Sequence, residues 1–133
     1  MGNPGPAGIG IVLRDGKGNV VTQVMKYLGQ TTNNVAEYLA LLYALEEAQA
    51  RGVTELLVRT DSELLAKQVS GEYRVRDETL RLFHDLAIEK MRHFASCRVR
   101  HVGRQDNAAA DHLAAAAVES RFDTAVKRVP AGG

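Results

Sequence analysis

Three acidic residues lie where predicted secondary-structure elements begin or end, so their carboxylates can lie close together in the fold. Glu37 lies near the start of a predicted helix, Asp61 follows a predicted strand, and Asp111 lies in the first turn of the last predicted helix. Ligands of open α/β sheets collect at the carboxyl ends of strands, so Asp61 has the most favourable position. Carboxylates without histidine or cysteine suit Mg²⁺ or Mn²⁺. Two such ions on a phosphodiester can activate a water molecule and stabilise the leaving oxygen.

Each of these acids also has a structural interpretation. Glu37, predicted in the first turn of its helix, and Asp111 could both complement a helix dipole. Asp61-Ser62 can also cap the helix that follows, and Asp61 could be no more than its N-cap. Taken singly, each residue favours the structural interpretation. A metal site requires that the three carboxylates converge.

The hydrophobic pattern predicts the elements that position these acids. Strands are predicted over residues 7–13, 20–27, 55–60 and 98–102, and helices over about 31–51, 63–69, 78–94 and 108–121. The strand at 55–60 is expected to be buried, and Gly8 and Gly10 in the first strand indicate close backbone approach. A hairpin followed by alternating strands and helices predicts an α/β domain with a mixed sheet.

The first predicted helix has strong signals at both ends. Hydroxyl and amide side chains at 31–34 can accept hydrogen bonds from free backbone N–H groups, and Gly52 ends the helix. Apolar residues recur behind the start at three- and four-residue spacing: Val35, Tyr38, Leu39, Leu42, Leu45 and Ala48. This spacing predicts an amphipathic helix packed against a core.

Composition sets the broad class of the protein. The chain has 133 residues, 45% of them hydrophobic and 25% charged, which is typical of one globular domain. The formal charge of +1 means that nucleic-acid binding would need local clusters of charge. One cysteine and no apolar run of membrane-spanning length lead us to expect a cytoplasmic protein without a membrane partner. Residues 123–133 are expected to form a tail or linker.

Four sequence blocks resemble type 1 ribonuclease H, in order along the chain. They are GNPGPAGIG at 2–10, TTNNVAEY at 31–38, TDSELL at 60–65 and VGRQDNAAADHL at 102–113. The third block continues with Gln68, Gly71, Tyr73 and Val75. The chain is most similar to the short archaeal-like and mycobacterial-like members of the family.

The resemblance implies a fold and an activity for residues 1–122. The fold would be a five-stranded mixed sheet flanked by helices, and the activity would be cleavage of the RNA strand of an RNA/DNA hybrid. Glu37, Asp61 and Asp111 match three of the family's four metal-binding carboxylates and would be catalytic. The implied cofactor is Mg²⁺ or Mn²⁺, as two ions with substrate.

The resemblance also implies residues that contact the nucleic acid. Asn3, Asn33 and Asn34 match residues that contact the minor groove of the hybrid, and Thr32 matches a residue that holds a phosphate of the DNA strand. Short amides can recognise 2′-hydroxyls and base edges in a wide, shallow groove. Arg104 stands in the loop where some other members carry a mobile histidine, and it is a further candidate nucleic-acid contact.

The sequence departs from the family at its beginning. The family's first strand, which is central in the sheet and carries the fourth carboxylate, normally precedes the first block, whereas only Met1 precedes Gly2 here. Two explanations remain open: the chain is shortened, or it is a variant that pairs exposed sheet edges with a second chain. The Pro- and Gly-containing tail is also similar to a linker that joins some such domains to a phosphatase-like domain.

Three functional hypotheses follow from these observations. The first is a metal-dependent endoribonuclease that acts on RNA/DNA hybrids. The second is a catalytically weak hybrid-binding module, because one of four family carboxylates is missing. A third, another nuclease or recombinase of the same superfamily, is disfavoured by the amides Asn33 and Asn34.

Overall fold

The computed structural model describes residues 4–120 and 126–128, which divide into two compact units. Unit 1 comprises the described residues of Met1–Ala36 and Ala108–Gly133, and unit 2 comprises Glu37–Asn107. The strands are β1 (Gly5–Arg14), β2 (Val20–Thr31), β3 (Glu55–Thr60), β4 (Ser96–His101) and β5 (Val126–Arg128). The helices are α1 (Asn33–Ala50), α2 (Glu63–Val69), α3 (Glu78–Met91) and α4 (Ala108–Ser120). No helix in the described ranges has the length and apolar character needed to cross a membrane.

The strands of unit 1 form an antiparallel sheet in the order β1-β2-β5. The turn between β1 and β2 is organised by Asp15, whose carboxylate accepts hydrogen bonds from the backbone N–H groups of Lys17 and Asn19 at 2.9 Å each. The hydrogen bond from Asn19 is the main reason that the pKa of Asp15 lies below its ordinary value. The predicted hairpin is therefore confirmed, with β2 longer than expected.

Helix α4 packs closely on β1 because two glycines of the strand have no side chains in its path. A Cβ atom added at Gly8 would lie 2.5 Å from the backbone oxygen of Ala114 and 3.0 Å from Ala117 Cβ. One added at Gly10 would collide with the backbone oxygen of Ala110. The close backbone approach predicted from these glycines is confirmed.

Part of the predicted tail is a strand. Val126–Arg128 form β5, which pairs antiparallel with Thr22–Val24 of β2. The β-branched Val126 is compatible with a strand, a signal that the linker interpretation did not use.

Helix α1 begins and ends as its sequence predicts. Thr32 Oγ1 accepts a hydrogen bond from the backbone N–H of Val35 at 3.2 Å, so Thr32 caps the first turn. Gly52 has a φ of 75°, which is the left-handed conformation that commonly follows a helix end. The buried residues of the helix are Tyr38, Leu41, Leu42, Leu45 and Ala48.

The strands of unit 2 form a separate parallel pair, β3 with β4, in the register Glu55↔Ser96 to Thr60↔His101. The α/β fold class is confirmed, but the described strands make two sheets rather than one five-stranded sheet. Within the described ranges β1 pairs only with β2, and β3 pairs only with β4.

Two burial predictions for unit 2 were wrong. Strand β3 is not fully buried, since alternate residues are exposed and Leu57 is 42% exposed. In α3 the apolar spacing predicts a core stripe that includes Leu80, Leu86 and Ala87, but Leu86 is 47% exposed, whereas Leu80 and Ala87 are buried as expected. Apolar content in a short segment does not tell which face a neighbouring element covers.

Candidate active site

Asp61 lies in a short loop that is held on both sides. The preceding residue, Thr60, is buried, and its hydroxyl accepts a hydrogen bond from the backbone N–H of Ser62 at 3.1 Å. The carbonyl of Thr60 also accepts from the backbone N–H of Val102 at 2.9 Å, which extends the pairing of β3 with β4. Asp61 therefore projects from a fixed position at the carboxyl end of β3.

The carboxylate of Asp61 is not the cap of α2. Ser62 is the N-cap, and its hydroxyl accepts a hydrogen bond from the backbone N–H of Leu65 at 3.1 Å. The structural interpretation of Asp61 as an N-cap is therefore wrong, because the hydroxyl one residue later has this role. The acid is left available for chemistry at the strand end.

A cation lies next to Asp61. Arg104 begins the 3₁₀ turn Arg104–Asn107, and its Nε lies 3.8 Å from Asp61 Oδ2. The Asp61 side chain is 15% exposed, whereas that of Arg104 is 90% exposed. A long ion pair with one exposed partner holds the arginine weakly, so its guanidinium can exchange this carboxylate for another anion.

The position of Glu37 differs from its prediction. It is the fifth residue of α1, and the first turn of the helix contains no acidic residue. The predicted place in the first turn is wrong, because four helical residues, 33–36, precede Glu37. Since the helix-dipole effect falls off within the first turn, the dipole interpretation of Glu37 loses its support.

A buried hydrogen bond joins the two helices next to the acids of unit 2. Tyr38 follows Glu37 directly, and its hydroxyl donates to Gln68 Oε1 of α2 at 2.6 Å. Both residues are buried, and burial raises the pKa of Tyr38 to about 12. The tyrosine therefore stays neutral and donating at ordinary pH, and it fixes the segment of α1 that carries Glu37 against α2, which follows Asp61.

The third predicted acid lies in unit 1. Asp111 is the fourth residue of α4, and its side chain lies outside the described part of the structure. Among side chains that are described, no group of three or more His, Cys, Asp or Glu residues could hold a metal ion together. The chemistry of the donors in unit 2, the carboxylate oxygens of Asp61 and Glu37, nevertheless fits a hard divalent cation.

The predicted nucleic-acid contacts at the start of α1 are accessible. Asn33 and Asn34 are exposed in the first turn. Thr32 uses an oxygen lone pair as a cap, and its hydroxyl proton can still be donated to a ligand. Asn3 lies outside the described residues. The chain places amides and a hydroxyl together at this helix start.

Sequence reasoning missed some of the residues that position the acids. Capping of α2 by Asp61-Ser62 was expected, and Ser62 is the cap, but the hydrogen bond by which Thr60 holds the loop was not predicted. A hydroxyl on each side of an acid at a strand end is a signal that could have indicated it. The contact between Tyr38 and Gln68 had no local signal, because the two residues are 30 positions apart.

Comparison with known proteins gives consistent matches over most of the chain. A family model described as "Reverse transcriptase-like" matches residues 2–117. Ribonuclease HI of Halobacterium salinarum is 41% identical over 118 residues, which are 89% of this chain and 59% of that protein. Bifunctional protein Rv2228c of Mycobacterium tuberculosis is 35% identical over 125 residues, 93% of this chain and 34% of that protein. The chain thus spans less than two thirds of either relative.

A solved structure shows the same fold. The crystal structure of LC11-RNase H1 in complex with RNA/DNA hybrid superposes with a TM-score of 0.86 at 40% identity, covering 91% of each chain. The family match covers the segments that contain Thr32, Glu37, Asp61 and Arg104. The chain therefore belongs to the reverse transcriptase-like family of ribonuclease H proteins.

Proposed function

We propose that this chain is a ribonuclease H-type endonuclease that hydrolyses the RNA strand of RNA/DNA hybrids. The observation that carries the proposal is the position of Asp61 at the carboxyl end of β3, not used as a cap and with Arg104 beside it. Further support comes from a relative of 40% identity whose structure was determined with an RNA/DNA hybrid.

Asp61, Glu37 and Asp111 are the proposed metal ligands and catalytic residues. They would hold Mg²⁺ or Mn²⁺, two ions when substrate is bound, and the ions would supply an activated water and stabilise the leaving oxygen. The chain's own contribution is positioning. Thr60 and Ser62 hold the Asp61 loop, and the hydrogen bond of Tyr38 holds the helix segment that bears Glu37.

The remaining predicted contacts are assigned to the substrate. Asn33 and Asn34, with Asn3, are proposed to contact the minor groove, where the 2′-hydroxyl distinguishes RNA from DNA. Thr32 is proposed to donate its hydroxyl to a phosphate of the DNA strand at the positive end of α1. Arg104 is proposed to leave Asp61 and contact a phosphate when the carboxylate takes up its ion.

A second candidate function is a hybrid-binding module with weak or no catalysis. The observation that favours it is that the exposed amides Asn33 and Asn34 can contact a hybrid without a metal ion. Such a module would use the same contacts at the start of α1 but would lack a complete metal site.

Cleavage of an end-labelled RNA/DNA hybrid by the purified chain tests the proposal. We expect loss of only the hybridised RNA in Mg²⁺ or Mn²⁺ and no loss in EDTA, with duplex DNA and single-stranded RNA unchanged. Asp61→Asn should lower the rate by roughly 100-fold or more, because a metal contact contributes several kcal/mol to transition-state stabilisation.

Asp85→Asn is the matched control, since Asp85 is an exposed acid on α3 whose contact is the neighbouring His84. It should cleave at the wild-type rate. Binding of hybrid without metal-dependent cleavage by the wild-type chain would favour the binding module. Equal loss in both variants would contradict the assignment of Asp61.

Three further features belong to this proposal. Self-association could use the open edges of the described sheets, and concentration-dependent sedimentation of the chain would test it.

A fused C-terminal domain in the natural protein would fit the 34% of Rv2228c that this chain spans, and the mass of the natural protein would test it. A cytoplasmic location stays a prediction, to be tested by cell fractionation.

A further inference from the structure

One face of the β3–β4 sheet is exposed and carries three arginines. The parallel register places Leu57 of β3 beside Arg98 of β4, and Arg59 beside Arg100. Paired residues of neighbouring strands share a face, as do alternate residues of one strand. All four side chains are exposed. We call these four residues the arginine face.

The arginine face concentrates charge of one sign. Arg59 and Arg100 lie side by side on strands about 4.8 Å apart, where like charges destabilise the pair. None of the three arginines forms an ion pair or side-chain hydrogen bond with another described residue. The acid on the same strand face, Glu55, pairs in register with Ser96 at the opposite end. In a chain of net charge +1, this is a local basic field.

The basic character continues around the edge of β4. Arg98 and Arg100 also line a cavity of about 320 Å³ between α2 and β4. Lys67 and His101 line the same cavity, with Glu72 as its acidic member. Charged residues that only prevent a strand edge from pairing with another chain can be positive or negative. The arginine face instead carries mainly positive charges, although they repel one another. This excess of positive charge favours binding of an anionic ligand.

We infer that the arginine face is a second nucleic-acid contact, which holds the phosphate backbone of a strand that extends beyond the cleavage site. The inference rests on the proposed function. Arg59 precedes Asp61 by two residues, about 7 Å along an extended strand, so a bound polymer can span both. Guanidinium groups donate paired hydrogen bonds to phosphate, and Leu57 offers an apolar contact to a sugar.

The test measures binding of a long labelled RNA/DNA hybrid to the full chain in EDTA, over a range of salt concentrations. Affinity falls as salt rises, and each lost phosphate contact makes the slope of log affinity against log salt less negative by about 0.9. Arg98→Gln/Arg100→Gln should therefore make the slope less negative by about 2. The matched control is Arg81→Gln/Arg92→Gln, which removes the same charge from exposed positions of α3 and its C-terminal end. The control slope should stay at the wild-type value.

Parallel cleavage assays in Mg²⁺ separate this inference from the proposed function. An unchanged slope in Arg98→Gln/Arg100→Gln would overturn the inference, and wild-type cleavage of hybrid would then leave the nuclease proposal intact. Equal slope losses in the test and control variants would also overturn it, since net charge alone would explain them. A wild-type chain that neither binds nor cleaves hybrid would overturn both. If Arg98→Gln/Arg100→Gln lost more affinity for polyglutamate than for hybrid, the inference would be overturned, and the arginine face would be a site for acidic proteins.

Discussion

The interiors of the two units of this protein are packed in different ways. In unit 1, β1 and α4 approach closely because Gly8 and Gly10 present no side chains to the helix. In unit 2, large side chains fill the interior, and Tyr38 and Leu45 are almost completely buried. The first arrangement leaves no room for an added atom, whereas the second leaves a void when atoms are removed.

This difference bears on the candidate site. The acids Glu37 and Asp61 lie on unit 2, where buried side chains and a hydrogen bond position them. Asp111 lies on the helix that packs on the glycines of unit 1. Substitutions should therefore affect the surroundings of the carboxylates through different mechanisms: a cavity in unit 2 and a steric clash in unit 1.

The largest effect is expected for Leu45→Ala. Leu45 is 0% exposed, and its truncation should lower the free energy of unfolding by about 2–5 kcal/mol, because the lost apolar contact leaves a cavity. Urea unfolding followed by circular dichroism measures it. Leu82→Ala is the control, since Leu82 is 72% exposed and should change stability by no more than about 0.5 kcal/mol. Equal effects would refute the assignment of the unit 2 core.

Gly10→Ala tests the opposite packing in unit 1. The new methyl group would lie 2.5 Å from Leu113 Cβ and 2.7 Å from the Ala114 backbone nitrogen, and neither atom belongs to a flexible side-chain end. We expect a loss near the upper end of roughly 1–3 kcal/mol, the range for overpacking. Gly16→Ala is the matched control, because no atom lies within 4 Å of its added Cβ. A neutral Gly10→Ala would show that β1 and α4 are not in close contact.

Tyr38→Phe should cost about 2 kcal/mol of stability, because it leaves the buried Gln68 Oε1 without its donor. Chemical denaturation at neutral pH measures this. Replacing both partners, as in Tyr38→Phe/Gln68→Leu, should recover part of the loss, since no buried acceptor is then left unpaired. The explanation would be contradicted if the double variant lost more free energy of unfolding than the two single variants lose together.

The same tyrosine predicts a pH dependence. Its folded-state pKa of about 12 lies above the ordinary value of 10.0, so its contribution to stability is complete below pH 10. Between about pH 10 and 12 the unfolded state loses the proton first, and wild-type stability should fall. Tyr38→Phe has no phenol to ionise, so the difference in free energy of unfolding between the wild type and the variant should become smaller over that range. A constant gap would show that Tyr38 is not buried.

Ser62→Ala should have the smallest effect on stability, about 1 kcal/mol, because it removes the N-cap of α2. It should also lower hybrid cleavage, since Ser62 is the residue that holds the loop after Asp61. Ser70→Ala at the exposed end of the same helix serves as the control and should keep the wild-type rate. Equal cleavage by the two variants would show that capping does not position Asp61.

The sequence predicted the elements where local signals were strong. The bounds of α2 and β3 agree with the prediction, and the start of α1 follows from the Thr32 cap. Such features depend on residues a few positions apart, which exchange hydrogen bonds without help from the rest of the chain. The candidate acids were also found from sequence, through their places at element ends and the four family blocks.

Only the tertiary structure decided which faces are covered and which groups meet. It placed Arg104 next to Asp61, 43 positions away, and joined Tyr38 to Gln68, contacts for which no local pattern exists. It also left one face of β3 exposed, although the strand's composition indicated burial. The physical reason is that burial depends on which distant elements pack on a face. The sequence alone therefore determined the local elements and the acids, and the packing of distant segments determined their surroundings.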